Sequence, residues 1–310
     1  MDGRTLSREL RLLLSEPSGS TYLDDKSSYD QLFKAASEFV ARTRVNTSSQ
    51  VITTVATQAA YTLNADFLDV WTTDDQNRKF IKYYDGSFTS FLYDRDYAAV
   101  LLANSSSSVP VPSQYSISDG PVLDLVSGTA SIAGLSVNGE ATLTDTSSPT
   151  QFANVSVGDT VHNTVTGASG YVLYKTSNTV LVTALFDGTN DDWAMTDSYI
   201  IAPQGRYQIV LDPPPSTAGH TVTIQYVQRP APVYSPYGFY RLPVDCKQAL
   251  ICYAAWVYKH RDREPNYASE LYKYFDMEVR KVARTINKSL GRGGFKVNFI
   301  KSGFSDRSRR

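Results

Sequence analysis

Apolar side chains recur at intervals of three and four residues in four segments of the chain, and this spacing predicts amphipathic helices. In the last segment the apolar stripe consists of Leu271, Phe275, Val279, Val282 and Ile286. The predicted helices run from about Leu6 to Leu14, Asp25 to Arg44, Val244 to His260 and Asn266 to Lys288. Two helices therefore lie near each end of the chain, and we expect the four of them to form a helical core.

Between these helical pairs, apolar and polar residues alternate in short runs separated by turn residues, which predicts strands. The predicted strands are Val51 to Leu63, Leu68 to Thr72, Lys79 to Tyr84, Arg206 to Leu211 and Val222 to Tyr226. A helical turn is predicted at Arg95 to Asn104, and a linker follows at Ser105 to Pro112, where serines and prolines cluster. These strands predict only a small β-sheet region beside the helices.

Residues 121–203 differ in composition from both flanks, because they are rich in Gly, Thr, Ser, Val and Asn and contain a single Lys and no Arg. Short β-rich runs such as Gly170 to Tyr174 alternate with turn residues. The chain is therefore predicted to be an α+β protein. A helical core with a small β-sheet region, at 1–120 and 204–288, is interrupted by an inserted all-β domain at 121–203, a small barrel or sandwich. Residues 289–310 form a basic C-terminal tail.

Positive charge is concentrated at the C-terminal end. Residues 280–310 contain ten Lys or Arg and one acidic residue, Asp306, so this segment has a net charge of +9. The whole chain has a net charge of −1, which leaves −10 for residues 1–279. Such an asymmetry predicts that this end of the chain meets an acidic surface or a polyanion.

The tail also has the period-two pattern of a strand with one apolar face, since Phe295, Val297 and Phe299 alternate with polar residues. A strand this short is stabilised by adding to a sheet edge, which can belong to another polypeptide. The predicted docking residues are Phe295, Lys296, Val297, Phe299, Lys301, Arg307, Arg309 and Arg310. The predicted hinge before them consists of Gly291, Gly293 and Gly294. The alternative is a solvated basic terminus without fixed structure.

No combination of residues predicts catalysis or a metal site. None of the three histidines, His162, His220 and His260, has a second ligand at a metal-binding spacing. The run Asp187 to Asp192 is rich in oxygen ligands but lacks the later bidentate Glu of a calcium loop, so it predicts a tight turn, with a metal as the alternative. We therefore expect no enzymatic activity, no metal and no cofactor.

The two cysteines, Cys246 and Cys252, fall on different faces of a predicted helix and too far apart for a disulfide. They are predicted to be reduced thiols of the core, which fits synthesis in the cytosol. No apolar run reaches the roughly 18 residues of a membrane span, and the N-terminus lacks the features of a signal peptide. We expect a soluble protein that is not exported.

The chain contains 21 tyrosines. Tyrosine offers a large contact area with a polar tip and is enriched at protein interfaces. The cluster of Tyr234, Tyr237, Phe239 and Tyr240 lies on a proline-rich loop and is predicted as a subunit interface. The alternative is that this loop packs onto its own domain.

The order of these segments resembles a known family, the head-to-tail adaptors, or connectors, of tailed bacteriophages. The shared features are two N-terminal helices, a β region with an insertion, a Tyr- and Pro-rich passage that leads into two helices, and a basic tail. The segments that show them are Leu6 to Leu14, Tyr29 to Thr43, Pro112 to Ile117, Tyr207 to Pro214, Val222 to Pro230, Leu242 to Val244 and Ala249 to Lys259. They match in order and composition and contain no invariant chemical signature. The insertion at 121–203 departs from the minimal pattern.

The resemblance implies a structural virion protein at the head-tail junction, made in the host cytoplasm. It implies a homo-oligomeric ring, typically dodecameric, that docks on the portal protein through its C-terminal segments. Tail or nozzle proteins would bind the opposite face, and packaged DNA would pass through the central channel during genome ejection.

Two other functions stay open. The aromatic residues Phe295, Phe299 and Phe304 interleave with basic residues, which is the pattern of a nucleic-acid-binding protein that stacks bases beside a cationic groove. The inserted domain contains Trp193 and Tyr171, which favour a glycan- or surface-binding module, although a tryptophan there is also typical of the core of a small barrel. Salt dependence separates nucleic-acid binding from strand addition, since only the former should fall steeply with salt.

Overall fold

A computed structural model of the chain describes residues 1–17, 23–71, 80–95, 108–243, 246–261 and 265–289. Within these residues, fourteen strands form two large curled sheets, accompanied by four helices. The predicted α+β fold, a helical core with a small β-sheet region and an inserted all-β domain, is therefore wrong, because the regular structure is mostly β. The helices are α1 (Gly3–Leu14), α2 (Asp25–Thr43), α3 (Lys247–Arg261) and α4 (Pro265–Ser289).

Both N-terminal helices begin at an aspartate cap. A carboxylate oxygen of Asp2 accepts a hydrogen bond from the backbone N–H of Thr5 at 2.7 Å, and Asp24 accepts one from Ser27 at 2.7 Å. Such caps satisfy N–H groups that the start of a helix leaves free. The local chemistry of these ends agrees with the apolar periodicity, which is why α2 begins where the pattern predicts.

Eight strands form the first sheet. They are β1 (Thr47–Thr53), β2 (Ala60–Thr62), β3 (Phe67–Val70), β4 (Phe80–Tyr84), β5 (Thr89–Asp94), β6 (Gln114–Asp119), β13 (Tyr207–Asp212) and β14 (Thr221–Gln228). Their order is β1-β14-β4-β5-β6-β13-β2, with β3 also paired to β14, and β5 runs parallel to β6. Side chains such as Ile81, Tyr115 and Ile224 point to one common interior and are buried there.

A side chain joins the two edge strands of this sheet, β1 and β2. Gln50 donates from Nε2 to the carbonyl of Thr62 at 3.2 Å and accepts with Oε1 from the N–H of Asn64 at 2.9 Å. The hydroxyl of Tyr61 adds a second link, since it accepts from the N–H of Val55 at 3.0 Å. The sheet is thereby closed nearly to a barrel, and each strand turns one face inward.

Six strands form the second sheet, and all of them lie between β6 and β13 in the chain. They are β7 (Val126–Thr129), β8 (Ala141–Thr144), β9 (Thr160–Asn163), β10 (Ser169–Lys175), β11 (Val180–Phe186) and β12 (Ser198–Ala202), in the order β7-β12-β9-β10-β11-β8. The chain leaves the first sheet at Asp119 and returns at Tyr207, and these two residues pair with each other. Beyond β7, the N–H of Ser131 donates to the carbonyl of Thr144 at 2.7 Å, so the two edges of this sheet also meet.

Polar groups inside the second sheet have partners. The indole N–H of Trp193, a residue only 1% exposed, donates to Oγ1 of Thr183 at 2.9 Å. The hydroxyl of Tyr199 donates to the buried carboxylate of Asp145 at 2.6 Å. Burial of such groups without partners would cost several kcal/mol, on the order of 2–7 for an amide or hydroxyl. The hydrogen bonds therefore allow large polar aromatics to fill this interior.

Lys175, the single lysine of residues 121–203, organises a turn beside β10. Its ammonium donates to the carbonyls of Phe152, Ala153 and Val155 at 2.5, 3.0 and 3.2 Å. Three donors on one nitrogen match three carbonyl acceptors. This lysine thus has a structural role in the second sheet.

The four helices share one hydrophobic core with the second sheet. This core includes Phe39 of α2, Leu250 of α3 and Phe275 of α4, together with Leu173 of β10 and Ala184 of β11. Helices from both ends of the chain and strands from its middle contribute to this core, so residues far apart in sequence meet there.

Most strands of the first sheet coincide with predicted strands, since β3, β4, β13 and β14 overlap the predicted runs, whereas β6 was not predicted and β1 and β2 were predicted as one strand. β1 reads Thr-Ser-Ser-Gln-Val-Ile-Thr, with exposed and half-buried positions in alternation. The pattern predicts one strand from Val51 to Leu63, whereas a turn separates β1 from β2. β5 was not predicted at all. The predicted helical turn at Arg95 to Asn104 lies outside the described residues except for Arg95.

Candidate interaction surfaces

The predicted docking tail and its hinge lie outside the described residues, the last of which is Ser289. This applies to Phe295, Lys296, Val297, Phe299, Lys301, Arg307, Arg309 and Arg310, and to Gly291, Gly293 and Gly294. The helix that leads to them, α4, is described, and so is the aromatic loop before α3.

The aromatic loop divides into buried and exposed residues. Tyr234 and Tyr240 are only 2% and 3% exposed within their own chain. These two residues pack onto their own chain, which was the alternative to a subunit interface, and they offer no surface to a neighbour. Tyr237 and Phe239 are 58% and 61% exposed, so only this half of the predicted subunit interface is accessible.

Tyr234 is buried because it joins three parts of the chain. Its hydroxyl donates to the carboxylate of Asp30 on α2, and its ring stacks on Tyr171 of β10. Tyr29 meets the same ring edge-on, with centroids 6.2 Å apart. Burial first, and then the hydrogen bond to Asp30, raises the pKa of Tyr234 far above its usual range.

One face of α4 is anchored to α2. Leu271, Phe275 and Val279 are buried in the core that the helices share with the second sheet, as the apolar stripe predicts. The guanidinium of Arg42 lies 5.5 Å from the ring centroid of Phe275 and donates to the hydroxyl of Tyr272 at 2.9 Å. An arginine over an aromatic face adds to the packing, so the orientation of α4 is well determined along this side.

The opposite face of α4 is exposed and positively charged. Its basic residues, here called the α4 basic face, are Lys273, Arg280, Lys281 and Arg284. They line an open cleft of about 630 Å³ together with Asp276 and the exposed Met277. Arg280 pairs with Asp276 at 2.7 Å, one turn earlier on the same helix. Lys273 and Arg284 form no ion pair within the described part of the chain.

The sequence contains the signal for this face. The intervals between Lys273, Arg280 and Arg284 are seven and four residues, which places all three on one side of a helix. A cationic face of this kind attracts carboxylates, phosphates or a sheet edge rich in acids.

The described residues contain no group of three or more His, Cys, Asp or Glu that could hold a metal ion. Asp187 forms an ion pair with Lys26, and Asp192 accepts a hydrogen bond from the N–H of Ser136. Cys246 and Cys252 are free and buried. None of the described helices is both long and apolar enough to cross a bilayer.

Of the two aromatic residues that favoured glycan binding, Trp193 is buried and Tyr171 is half-buried against its own chain. Trp193 lies in the interior of the second sheet, which is the core position named as its alternative. Tyr171 is stacked on Tyr234 and packs against the core that the helices share with the second sheet. Neither ring is placed as an open platform for a sugar.

No protein-family model matches the chain, and no curated protein matches it.

Proposed function

We propose that this protein is a structural virion protein, the head-to-tail adaptor of a tailed bacteriophage. It forms a ring that docks on the portal protein through its C-terminal tail, receives tail or nozzle proteins on its other face and surrounds the path of packaged DNA. It works by binding, without an enzymatic step.

The α4 basic face is the observation that supports this proposal. It stands on a helix whose other side is held by Phe275 and Arg42, and it directly precedes the basic residues 290–310 in the chain. A helix that is packed on its other side thus presents cations, and the sequence that follows it contains further Lys and Arg residues. Because residues 1–279 have a net charge of −10, this end differs sharply in charge from the remainder of the protein.

Co-sedimentation with portal rings of the same virus tests the proposal. The full chain should bind, and a chain that ends at Ser289 should not. Val297→Pro should abolish binding, because proline cannot donate a hydrogen bond to a sheet edge. Ser302→Pro, which lies beyond the alternating residues, is the matched control and should bind normally. Undiminished binding by the truncated chain would contradict docking through the tail.

Nucleic-acid binding is the second candidate, and the unpaired state of Lys273 and Arg284 within the described residues favours it. Binding to duplex DNA should weaken steeply with salt, whereas strand addition to a portal edge should persist in part. The double variant Lys273→Gln/Arg284→Gln separates the two. A lower salt slope for DNA with unchanged portal binding would favour this second function.

A further inference from the structure

A second cationic site lies away from α4, where the start of α1 meets the loop around Tyr237. It is a cleft of about 540 Å³, within the size range of ligand sites. Three arginines of α1, Arg4, Arg8 and Arg11, line it together with Tyr237 and Asn138. Two acids also line it: Asp25 pairs with Arg11, and Glu16 accepts a hydrogen bond from the hydroxyl of Tyr258 at 2.8 Å. Nothing proposed above for the tail or for the α4 basic face uses these residues.

The walls of this cleft are held together by backbone contacts. The N–H of Gly3 donates to the carbonyl of Gly238 at 2.8 Å, and that of Arg4 donates to the carbonyl of Pro236 at 3.1 Å. A Cβ on Gly3 would lie 2.4 Å from the carbonyl oxygen of Ser235, so only glycine allows this approach. Because the first N–H groups of α1 are occupied, recognition in the cleft depends on side chains.

Two of the three arginines form no ion pair in the described structure. Arg11 is buried, and it pairs with Asp25 at 2.8 Å and donates to the carbonyl of Pro17 at 3.1 Å. Arg4 and Arg8 are exposed and form no ion pair with any described residue. The positive charge that remains available in the cleft is therefore theirs.

The positions of Arg4 and Arg8 are unfavourable for α1 itself. They are four residues apart, so two like charges face each other on one side of the helix. Arg4 also lies in the first turn, where the helix dipole disfavours a cation; the acid at this end is the cap Asp2, whose carboxylate is engaged by Thr5 and forms no ion pair with Arg4. Residues that break a local rule without an internal gain commonly serve a function. An anionic partner would remove both costs.

The cleft also offers apolar surface beside these charges. Leu12 follows Arg8 by one turn and is 68% exposed, and the ring of Tyr237 is exposed on the other side. A free phosphate has no group for such a surface, and a nucleic-acid base would stack on Tyr237 but leave the aliphatic Leu12 without a partner. A polypeptide can present carboxylates and an apolar side chain together. Guanidinium groups bind carboxylates through paired hydrogen bonds.

We propose that this cleft binds an acidic polypeptide segment of a partner protein. Arg4 and Arg8 pair with carboxylates of the segment, and one of its apolar side chains packs between Leu12 and Tyr237. The proposal is independent of portal docking, because none of the docking residues takes part.

Fluorescence anisotropy with the full chain tests the cleft. The probe is a labelled peptide of glutamates with a central leucine, and the comparison probes replace the leucine by serine or the glutamates by glutamine. Arg4→Glu/Arg8→Glu should weaken binding of the first probe by about tenfold or more, since charged hydrogen bonds are lost. This variant should fold, because both side chains are exposed and an acid at position 4, in the first turn, suits the helix dipole. The matched control Lys34→Glu/Lys82→Glu makes the same charge change at two exposed lysines elsewhere.

The outcomes are distinct. Loss of binding in the Arg4/Arg8 variant, retention in the lysine control and weaker binding of the serine probe would support the proposal. Equal loss in both variants would overturn it in favour of general charge attraction. A single-stranded oligonucleotide that binds more tightly than the peptide and depends on Arg4 and Arg8 would overturn the choice of partner. Dissociation of a homo-oligomer by Arg4→Glu/Arg8→Glu, without peptide binding to the wild type, would assign the cleft to a second copy of the chain.

Discussion

Tyr234 lies stacked on Tyr171, with ring centroids 4.5 Å apart and ring planes 20° from parallel. Tyr171 belongs to β10 and Tyr234 to the loop before α3, so the stack connects the second sheet to the helices. The hydrogen bond from Tyr234 to Asp30 adds α2 to the same junction. A residue that joins three elements is expected to contribute more to stability than an exposed tyrosine of the same loop.

Tyr234→Phe should lower the free energy of unfolding by about 1–3 kcal/mol, because the carboxylate of Asp30 loses the hydrogen bond that the phenol donates. Tyr237→Phe is the matched control, and its effect should stay within about 0.5 kcal/mol, since that side chain is exposed. Urea denaturation measures both. Equal stability of the two variants would show that the bond to Asp30 contributes nothing.

Alkaline pH should destabilise the protein through Tyr29. Burial, aided by the charge of Asp25, raises the pKa of Tyr29 to about 12. The unfolded chain ionises this phenol near pH 10, so between about pH 10 and 12 only the unfolded state gives up the proton, and stability falls as the pH rises. Below about pH 10 the group has no effect.

Denaturation at stepped pH values checks this expectation. Tyr29→Phe should show a shallower loss of stability above pH 10 than the wild type, by up to about 2–3 kcal/mol at pH 12. Parallel curves for wild type and Tyr29→Phe would exclude the predicted contribution.

Lys175→Met should destabilise the second sheet, because the carbonyls of Phe152, Ala153 and Val155 lose their common donor. We expect a loss of about 2 kcal/mol, the scale of a hydrogen bond to a charged group. Lys82→Met changes an exposed lysine on β4 and should have little effect. Thermal unfolding of the two variants side by side measures the difference, and an unshifted Lys175→Met midpoint would refute the structural role.

Gln50→Ala should loosen the edge between β1 and β2. The N–H of Asn64 loses its acceptor, so its hydrogen exchange should speed up, and stability should fall by about 1 kcal/mol. Gln225→Ala, on the exposed side of neighbouring β14, leaves this edge intact and is the control. If the exchange rate at Asn64 is the same in both variants, the side-chain bridge does not close the sheet in solution.

The helices were predictable because several local signals agree. In α4 the stripe Leu271, Phe275 and Val279 matches a helical period, and in α2 the cap Asp24 stands directly before the first turn. The burial of Trp193 was also foreseen as an alternative to an open glycan platform. Each of these features depends on residues that are close in sequence.

The extent and closure of the first sheet were missed, together with β5 and β6, because these features depend on residues far apart in sequence. The residues of β1 around Val51 show little apolar pattern. The strand is stabilised by its pairing with β14 and by the hydrogen bonds that Gln50 forms with Thr62 and Asn64, which the sequence pattern does not reveal. Composition could not distinguish the buried from the exposed tyrosines of the aromatic loop either, because the burial of Tyr234 and the exposure of Tyr237 depend on tertiary contacts. The charges of Arg4 and Arg8 were visible, but their lack of partners required the tertiary structure.

Lys175 also determines how the protein can be cut. It is the only Lys or Arg between Arg95 and Arg206, so the tryptic fragment of residues 96–206, which contains the second sheet, has one remaining cleavage site. The lysine at that site is engaged by three carbonyls while the turn is folded, and proteases reach such a site when it opens locally. The rate at which trypsin cuts this fragment therefore measures how readily the second sheet opens, and gel electrophoresis follows it without any label.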